Sequence, residues 1–308
     1  LSVEEGTVRG LLGPNGAGKT TTVKVLTTLI KPTSGQATVA GLDVMKQPDD
    51  VRKIIGASGQ YATIDEELTA RENLILIGRL FHLGDKRSKA RADELLEIFT
   101  LEKAANRPIK GFSGGMRRRA DLAASLVNDP KILFLDEPTT GLDPAARLAL
   151  WDVIRDRVSR GTTLLLTTQY LEEADALADQ VTVIDGGRIR AQGSASELKS
   201  TTAQSILTVE LAADPDAVTR SRLSTTLADI GLGLPQEITA RRWSVPVGEG
   251  TRSAVSAVKA LEQIGVDVDD AHVAAPTLDD VFLQLTGESP ADVESATEST
   301  REEFADVR

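Results

Sequence analysis

The stretch "GPNGAGKT", Gly13 to Thr20, decides how the rest of the chain is read. It satisfies the pattern G-x-x-x-x-G-K-[ST] in the context that pattern needs, with Thr7 to Leu12 reading as a strand before it and Thr20 to Ile30 as a helix after it. Strand, glycine turn and helix start make an anion cradle, because bare N–H groups converge on phosphate oxygens where the helix dipole is positive. Gly13, Pro14, Asn15, Gly16, Ala17 and Gly18 form the turn. Lys19 offers charge to the β and γ phosphates, Thr20 offers a hydroxyl to Mg2+, and Thr21 completes the phosphate-facing set.

Working outward, "ILFLDEP", Ile132 to Pro138, is an apolar strand ending in two carboxylates. Beside a phosphate loop, Asp136 is the expected metal-side ligand and Glu137 the expected general base. "KIIGAS", "GTTLLLTTQ" and "QVTVIDGG" are further short runs rich in Ile, Leu and Val, without polar alternation. Strands buried on both faces of a mainly parallel sheet read this way, so the expected core is α/β, a P-loop NTPase.

Residues 68–127 break the rhythm. "ENLILIGRLFHL" and "SKARADELLEIFTL" repeat apolar positions at three and four with no strand between them, which predicts an inserted helical subdomain. Past Lys199, "SILTVEL", "EITARR" and "WSVPV" alternate like half-exposed strands, while "DAVTRSRLSTTLADIG" and "TRSAVSAVKALEQIG" read as helices ending at glycine. A small α+β domain of order β-α-β-β-α-β is expected over 201–287, after an ATP-binding domain over 1–200. Residues 288–308 are acidic and poor in apolar side chains, and are expected to be disordered. The chain starts inside a strand-like pattern without Met, which reads as a missing N-terminal strand.

Composition narrows the function. With 35 Lys plus Arg against 46 Asp plus Glu, the net charge is −11, which argues against sequence-independent nucleic-acid binding. The absence of cysteine excludes disulfides, thiolate metal sites and cysteine nucleophiles. No apolar run reaches the roughly 18 residues that a membrane-crossing helix needs.

"GFSGGMRRRADLAAS", Gly111 to Ser125, contains a second phosphate-seeking turn nearly a hundred residues after the first. Ser113, Gly114 and Gly115 open a helix with a hydroxyl and bare amides; by itself this reads as a serine cap with flexible glycines. Arg117 to Arg119 read as a solvated face of that helix, with one of the three reaching phosphate or an acidic neighbour.

With these motifs in view, the chain to about Leu198 resembles the nucleotide-binding subunits of ABC transporters: "SGGMRRRADLAASLVNDPKILFLDEPTTGLDP" carries that family's signature loop, carboxylate strand and D-loop in unbroken order. The resemblance implies a head-to-tail homodimer in which Ser113, Gly114 and Gly115 close over the ATP held by the partner's phosphate loop. It places Gln60 at ATP, Mg2+ and the attacking water, beside a surface that receives a membrane subunit, and puts Asp143 at the dimer interface. The signature departs from the usual form at Phe112 and Met116. Gln169 stands where most members have a catalytic histidine, and a glutamine amide can hydrogen-bond phosphate or water but cannot titrate near neutral pH.

"FSGGMRRR", "TTQYLEEAD" and "PTLDDVFLQLTG" extend the resemblance to the daunorubicin and doxorubicin resistance ATP-binding proteins. That likeness implies drug export through a separate membrane protein, with this chain peripheral on the cytoplasmic face of the membrane. Lipid, polyketide or peptide export is the alternative cargo reading. A non-hydrolysing ATP sensor, motivated by Gln169, and an ABC-type ATPase acting on DNA or ribosomes are the rivals from other classes.

Overall fold

The computed structural model describes residues 1–59, 64–202, 204–248 and 252–286. They form two compact units, Leu1–Ala195 and Ser196–Ser289.

The first unit opens with strand β1 (Val8–Leu12) and helix α1 (Lys19–Leu26), with the glycine turn between them. A small hairpin of β2 (Thr38–Val39) and β3 (Leu42–Asp43) leads to α2 (Pro48–Ile54) and β4 (Ile55–Ser58). Three helices follow without a strand: α3 (Ala70–Leu80), α4 (Asp85–Ile98) and α5 (Gly114–Ser125). Then come β5 (Ile132–Asp136), α6 (Pro144–Ser159), β6 (Thr163–Thr168), α7 (Leu171–Leu177), β7 (Gln180–Asp185) and β8 (Arg188–Gly193).

The sheet order is β4-β5-β6-β1-β7-β8, parallel except for the β7–β8 pair. Alternate residues of β5 and β6 serve opposite cores: Leu133, Leu135, Leu164 and Leu166 join one, Phe134 and Leu165 the other. That double burial is why these strands show no polar alternation. The helical insertion shares the first core, where Leu74, Leu95, Phe99 and Ala123 pack with the same leucines of the sheet. A capping box starts α3, with Glu72 N–H donating to Thr69 Oγ1 at 3.1 Å and Thr69 N–H donating to Glu72 Oε2 at 2.9 Å.

Helix α1 stops short of the predicted Ile30. Thr28 turns left-handed at φ 64, and the N–H groups of Leu29 and Ile30 fold back onto the Lys24 carbonyl at 2.8 and 3.2 Å. Leu29 is thereby left 72% exposed. Strand β8 has no counterpart among the predicted strands, since its mostly exposed, polar residues carry no apolar signal.

The second unit begins with α8 (Ala195–Thr202), β9 (Ser205–Leu211), α9 (Ala217–Ile230), β10 (Gln236–Glu237) and β11 (Arg242–Val247). It ends with α10 (Arg252–Gln263), β12 (Val268–Ala274) and α11 (Leu278–Thr286). Its antiparallel sheet runs β10-β11-β9-β12, and Leu207, Val209, Trp243 and Val245 pack with Leu223 and Leu227 of α9 and Leu261 of α10. Of the expected strand "EITARR" only the two end residues are strand, Glu237 closing β10 and Arg242 opening β11. The rest turns, because Ile238 N–H donates to the Arg242 carbonyl and Arg242 N–H to Thr239 Oγ1, at 2.9 and 3.0 Å.

Helix α5 lies so close to β4 that a Cβ on Gly56 would sit 2.1 Å from the Ser125 carbonyl oxygen and 2.9 Å from the Pro130 ring. We predict that Gly56→Ala destabilises the chain by at least about 1–3 kcal/mol in urea denaturation. Gly248→Ala, with nothing within 4 Å of the new methyl, is expected to stay within about 0.5 kcal/mol of the parent.

Candidate functional site

Strand order puts three loops side by side: β1 ends in the phosphate loop, β6 in Gln169 and β5 in Asp136 and Glu137. Gly16 and Gly18 adopt φ of 81° and 104°, which L side chains resist, and Gly18 then caps α1. Lys19 is 5% exposed and its ammonium donates to the Gly13 and Pro14 carbonyls at 2.7 and 3.1 Å. Burial lowers its pKa, and the carboxylates of Glu137 and Asp136 oppose that shift. Asn15, Gly16 and Thr21 are exposed, so the rim of the cradle is open to solvent.

Asp136 is 2% exposed and accepts the hydroxyl hydrogen of Thr167. Glu137 is half-buried with φ 51, an unusual conformation for a residue with a side chain, costing on the order of 1–2 kcal/mol. Its N–H is shared between the Thr167 carbonyl at 3.0 Å and Thr167 Oγ1 at 3.2 Å, and Thr140 Oγ1 donates to Glu137 Oε2 at 3.5 Å. Gln169 is half-buried at the next strand end, where Tyr170 N–H turns back to Thr168 Oγ1 at 2.9 Å.

Thr20 and Asp136 line one cavity of about 500 Å3, which Leu29, Ile77, Phe81 and Asn128 also border. Among the described residues no three His, Asp or Glu side chains form a metal cluster. The Thr20 hydroxyl and the Asp136 carboxylate on this cavity are hard oxygen donors, of the kind that suits Mg2+. Gln60 lies outside the described residues.

Ser113, Gly114 and Gly115 do not line this cavity. Ser113 caps α5, its Oγ accepting from Met116 N–H at 3.3 Å. A Cβ on Gly114 would meet nothing within 4 Å, so its bareness serves no packing inside the chain. Asp143 caps α6 through Ala146 N–H at 2.8 Å.

Two residues escape a reading of the sequence. The arginine face is only partly solvated: Arg118 donates to the carbonyls of Gly59, Asp136, Glu137 and Pro138 at 2.8 to 2.9 Å, and Arg119 to the Phe99 carbonyl at 3.0 Å, while Arg117, 38% exposed, is the one that pairs with an acidic neighbour, Glu66 at 3.2 Å. Burial lowers the Arg118 pKa, with Asp121, Asp136, Glu173 and Glu137 opposing. The one signal in the sequence is Asp121, three residues along an otherwise apolar helix segment. The second is Glu173, fully buried on α7 and accepting from Trp151 Nε1 at 3.3 Å. Burial raises its pKa, against the donors Thr168, Trp151 and Thr139 and the charge of Arg147.

A phosphate loop with a buried lysine, on the same sheet edge as a strand ending in paired carboxylates, with a second helix-capping Ser-Gly-Gly turn, defines a P-loop ATPase of the ATP-binding-cassette type. The ABC transporter family model matches residues 1–140. The daunorubicin resistance ATP-binding protein DrrA3 of Streptomyces coeruleorubidus is 50% identical, covering 94% of this chain and 90% of that one. The daunorubicin/doxorubicin resistance ATP-binding protein DrrA of Streptomyces peucetius is 46% identical over 98% of this chain and 91% of its own. The Nod factor export ATP-binding protein I of a Rhizobium species is 36% identical over 93% and 90%. Among solved structures, an ATP-binding subunit of an ABC transporter aligns with TM-score 0.60 and 29% identity, over 65% of this chain and 83% of that one. A dimeric ATP-binding cassette bound to ADP and Pi aligns with TM-score 0.59 and 26% identity, over 63% and 88%. The chain belongs to the ABC transporter ATP-binding subunits, in the family of the daunorubicin and doxorubicin resistance ATP-binding proteins.

Because the folded chain holds the Glu173 proton more tightly than the unfolded chain, its contribution to stability is full below the usual carboxylate range and is lost as pH rises through the folded value. Glu173→Gln, which keeps the shape and removes the ionisation, is expected to melt progressively above the parent as pH increases. The two melting curves should converge below about pH 4.

Proposed function

We propose that this chain is the ATP-hydrolysing subunit of an exporter that moves a drug of the daunorubicin and doxorubicin type through a separate membrane subunit. The observation that carries the reading is the meeting of Lys19, Asp136 and Glu137 on one edge of the sheet, past the ends of β1 and β5 on either side of β6, in a chain alike almost end to end to drug-resistance ATP-binding proteins. The Nod factor relative supports a second cargo reading, export of a different small molecule by the same engine.

ATP enters where Gly13 to Thr21 present N–H groups, and Lys19 exchanges its own loop carbonyls for phosphate oxygens. Thr20, Asp136 and Gln60 would hold Mg2+, which when bound would neutralise charge on the phosphates. Glu137 orients water and accepts its proton as the oxygen attacks the γ-phosphate, and the Gln169 amide hydrogen-bonds the same group. Ser113, Gly114 and Gly115 serve the ATP of a second copy: the hydroxyl that accepts from Met116 N–H still has its own hydrogen to donate. Asp143 faces that copy across the D-loop.

Among the described residues no helix is long and apolar enough to cross a membrane. The proposed link to the membrane, on its cytoplasmic face, is a docking surface for the membrane subunit. Leu29, Leu80 and Phe81 are 72%, 68% and 38% exposed, and Leu29 and Phe81 border the cavity that contains Asp136. Such a rim fits an apolar helix of the membrane subunit.

Glu137→Gln is expected to slow steady-state phosphate release at least about 10²-fold while ATP still binds. Unchanged turnover would remove Glu137 as the base, and ATP binding without any hydrolysis by the parent chain with its membrane subunit would leave only a sensor. Leu29→Asp is predicted to release the chain from the membrane fraction, with ATP affinity unaltered.

A further inference from the structure

Arg118 sits on α5, five residues past Ser113, and its side chain is 14% exposed. Its guanidinium forms a junction of main-chain bonds. Nε donates to the Pro138 carbonyl at 2.8 Å, Nη2 to those of Asp136 and Glu137 at 2.9 and 2.8 Å, and Nη1 to that of Gly59 at 2.8 Å. Three successive carbonyls of the turn that holds Glu137 at φ 51 are thus gathered by one planar group, together with the end of β4. Behind it, Asp121 lies 3.7 Å from Nη1 and accepts Ser58 Oγ–H at 2.6 Å, so the fork is fixed from a second side. Arg117 and Arg119 turn elsewhere, to Glu66 and to the Phe99 carbonyl.

We propose that Arg118 is a positioning residue for Glu137, and that through it the helix whose start grips the neighbour's nucleotide sets the geometry of the base in its own chain. The inference rests on the assignment of Glu137 as base and of Ser113 to the partner's ATP. A helix is stiff over the roughly 7.5 Å that five residues span, so a shift of Ser113 on contact with phosphate reaches Arg118 undiminished. Arginine is needed because its fixed fork bridges carbonyls from two segments, and a lysine ammonium does not reproduce that span. Arg118 touches neither substrate nor water in this role; it acts by holding the turn.

The test compares Arg118→Lys and Arg118→Gln with Arg117→Ala in the full chain with its membrane subunit. Both Arg118 variants are expected to lower kcat roughly ten- to a hundred-fold, the scale of a small misplacement of a catalytic group, while KM for ATP moves less than about threefold. Arg117→Ala is expected to leave both constants in place. On a Glu137→Gln background, Arg118→Lys should add less than about a twofold loss, because a residue acting only through the base has nothing left to position.

Multiplying losses in the double variant would overturn the proposal, as would a rise in KM and a fall in melting temperature that track kcat in both Arg118 variants, the mark of a purely structural role. A slow Glu137→Gln beside a full-speed Arg118→Lys overturns this inference alone. Full-speed Glu137→Gln overturns it together with the assignment of the base.

Discussion

The hardest physical demand on this chain is to gather an ammonium and two carboxylates in one place, largely out of water, and keep them ready for a highly charged ligand. Desolvation penalises each of them unless the others are near. Lys19 sits at that balance: burial lowers its pKa, and the charges of Glu137 and Asp136 oppose the shift. The parallel sheet answers that demand. Its crossovers bring β1, β6 and β5 side by side with their carboxyl ends on one edge, so residues more than a hundred positions apart share a site.

The chain supplies partners for these groups from within itself. The Lys19 ammonium rests on two loop carbonyls, Asp136 on Thr167, and the main chain around Glu137 on Arg118. Binding then becomes an exchange of partners, which avoids exposing an unpaired buried charge at any stage. The left-handed Glu137 fits the same scheme: a strained backbone persists where its surroundings over-determine it, and here Thr167 and Arg118 grip that residue from two sides.

Much of this is legible in the sequence wherever the determinant is local. The phosphate loop needs glycines at fixed offsets, the buried strands need continuous apolar runs, and the helical insertion shows the three-and-four spacing that Leu74, Leu95 and Phe99 put into the core. Where tertiary partners decide, the string of residues is mute. "RRR" reads as a charged face, and only the fold brings Arg118 against four carbonyls. Glu173 reads as one more acid in "LEEAD", yet it is fully buried against Trp151. The end of α1 is hidden for a related reason. Leu29 and Ile30 extend an apolar pattern, but the turn at Thr28 directs Leu29 to the surface.

The pairing of β1 carries a consequence for how the molecule is made. That strand, at residues 8–12, lies between β6 and β7, whose residues are 163–168 and 180–185. On a ribosome adding about 5–20 residues per second, the glycine turn and its strand leave the tunnel several seconds to some tens of seconds before either flanking strand exists. Through that interval Val8, Leu11 and Leu12 have no sheet to join. Nascent β1 is therefore a segment in need of a chaperone's shelter, and the nucleotide pocket is complete only after more than half of the chain has been made.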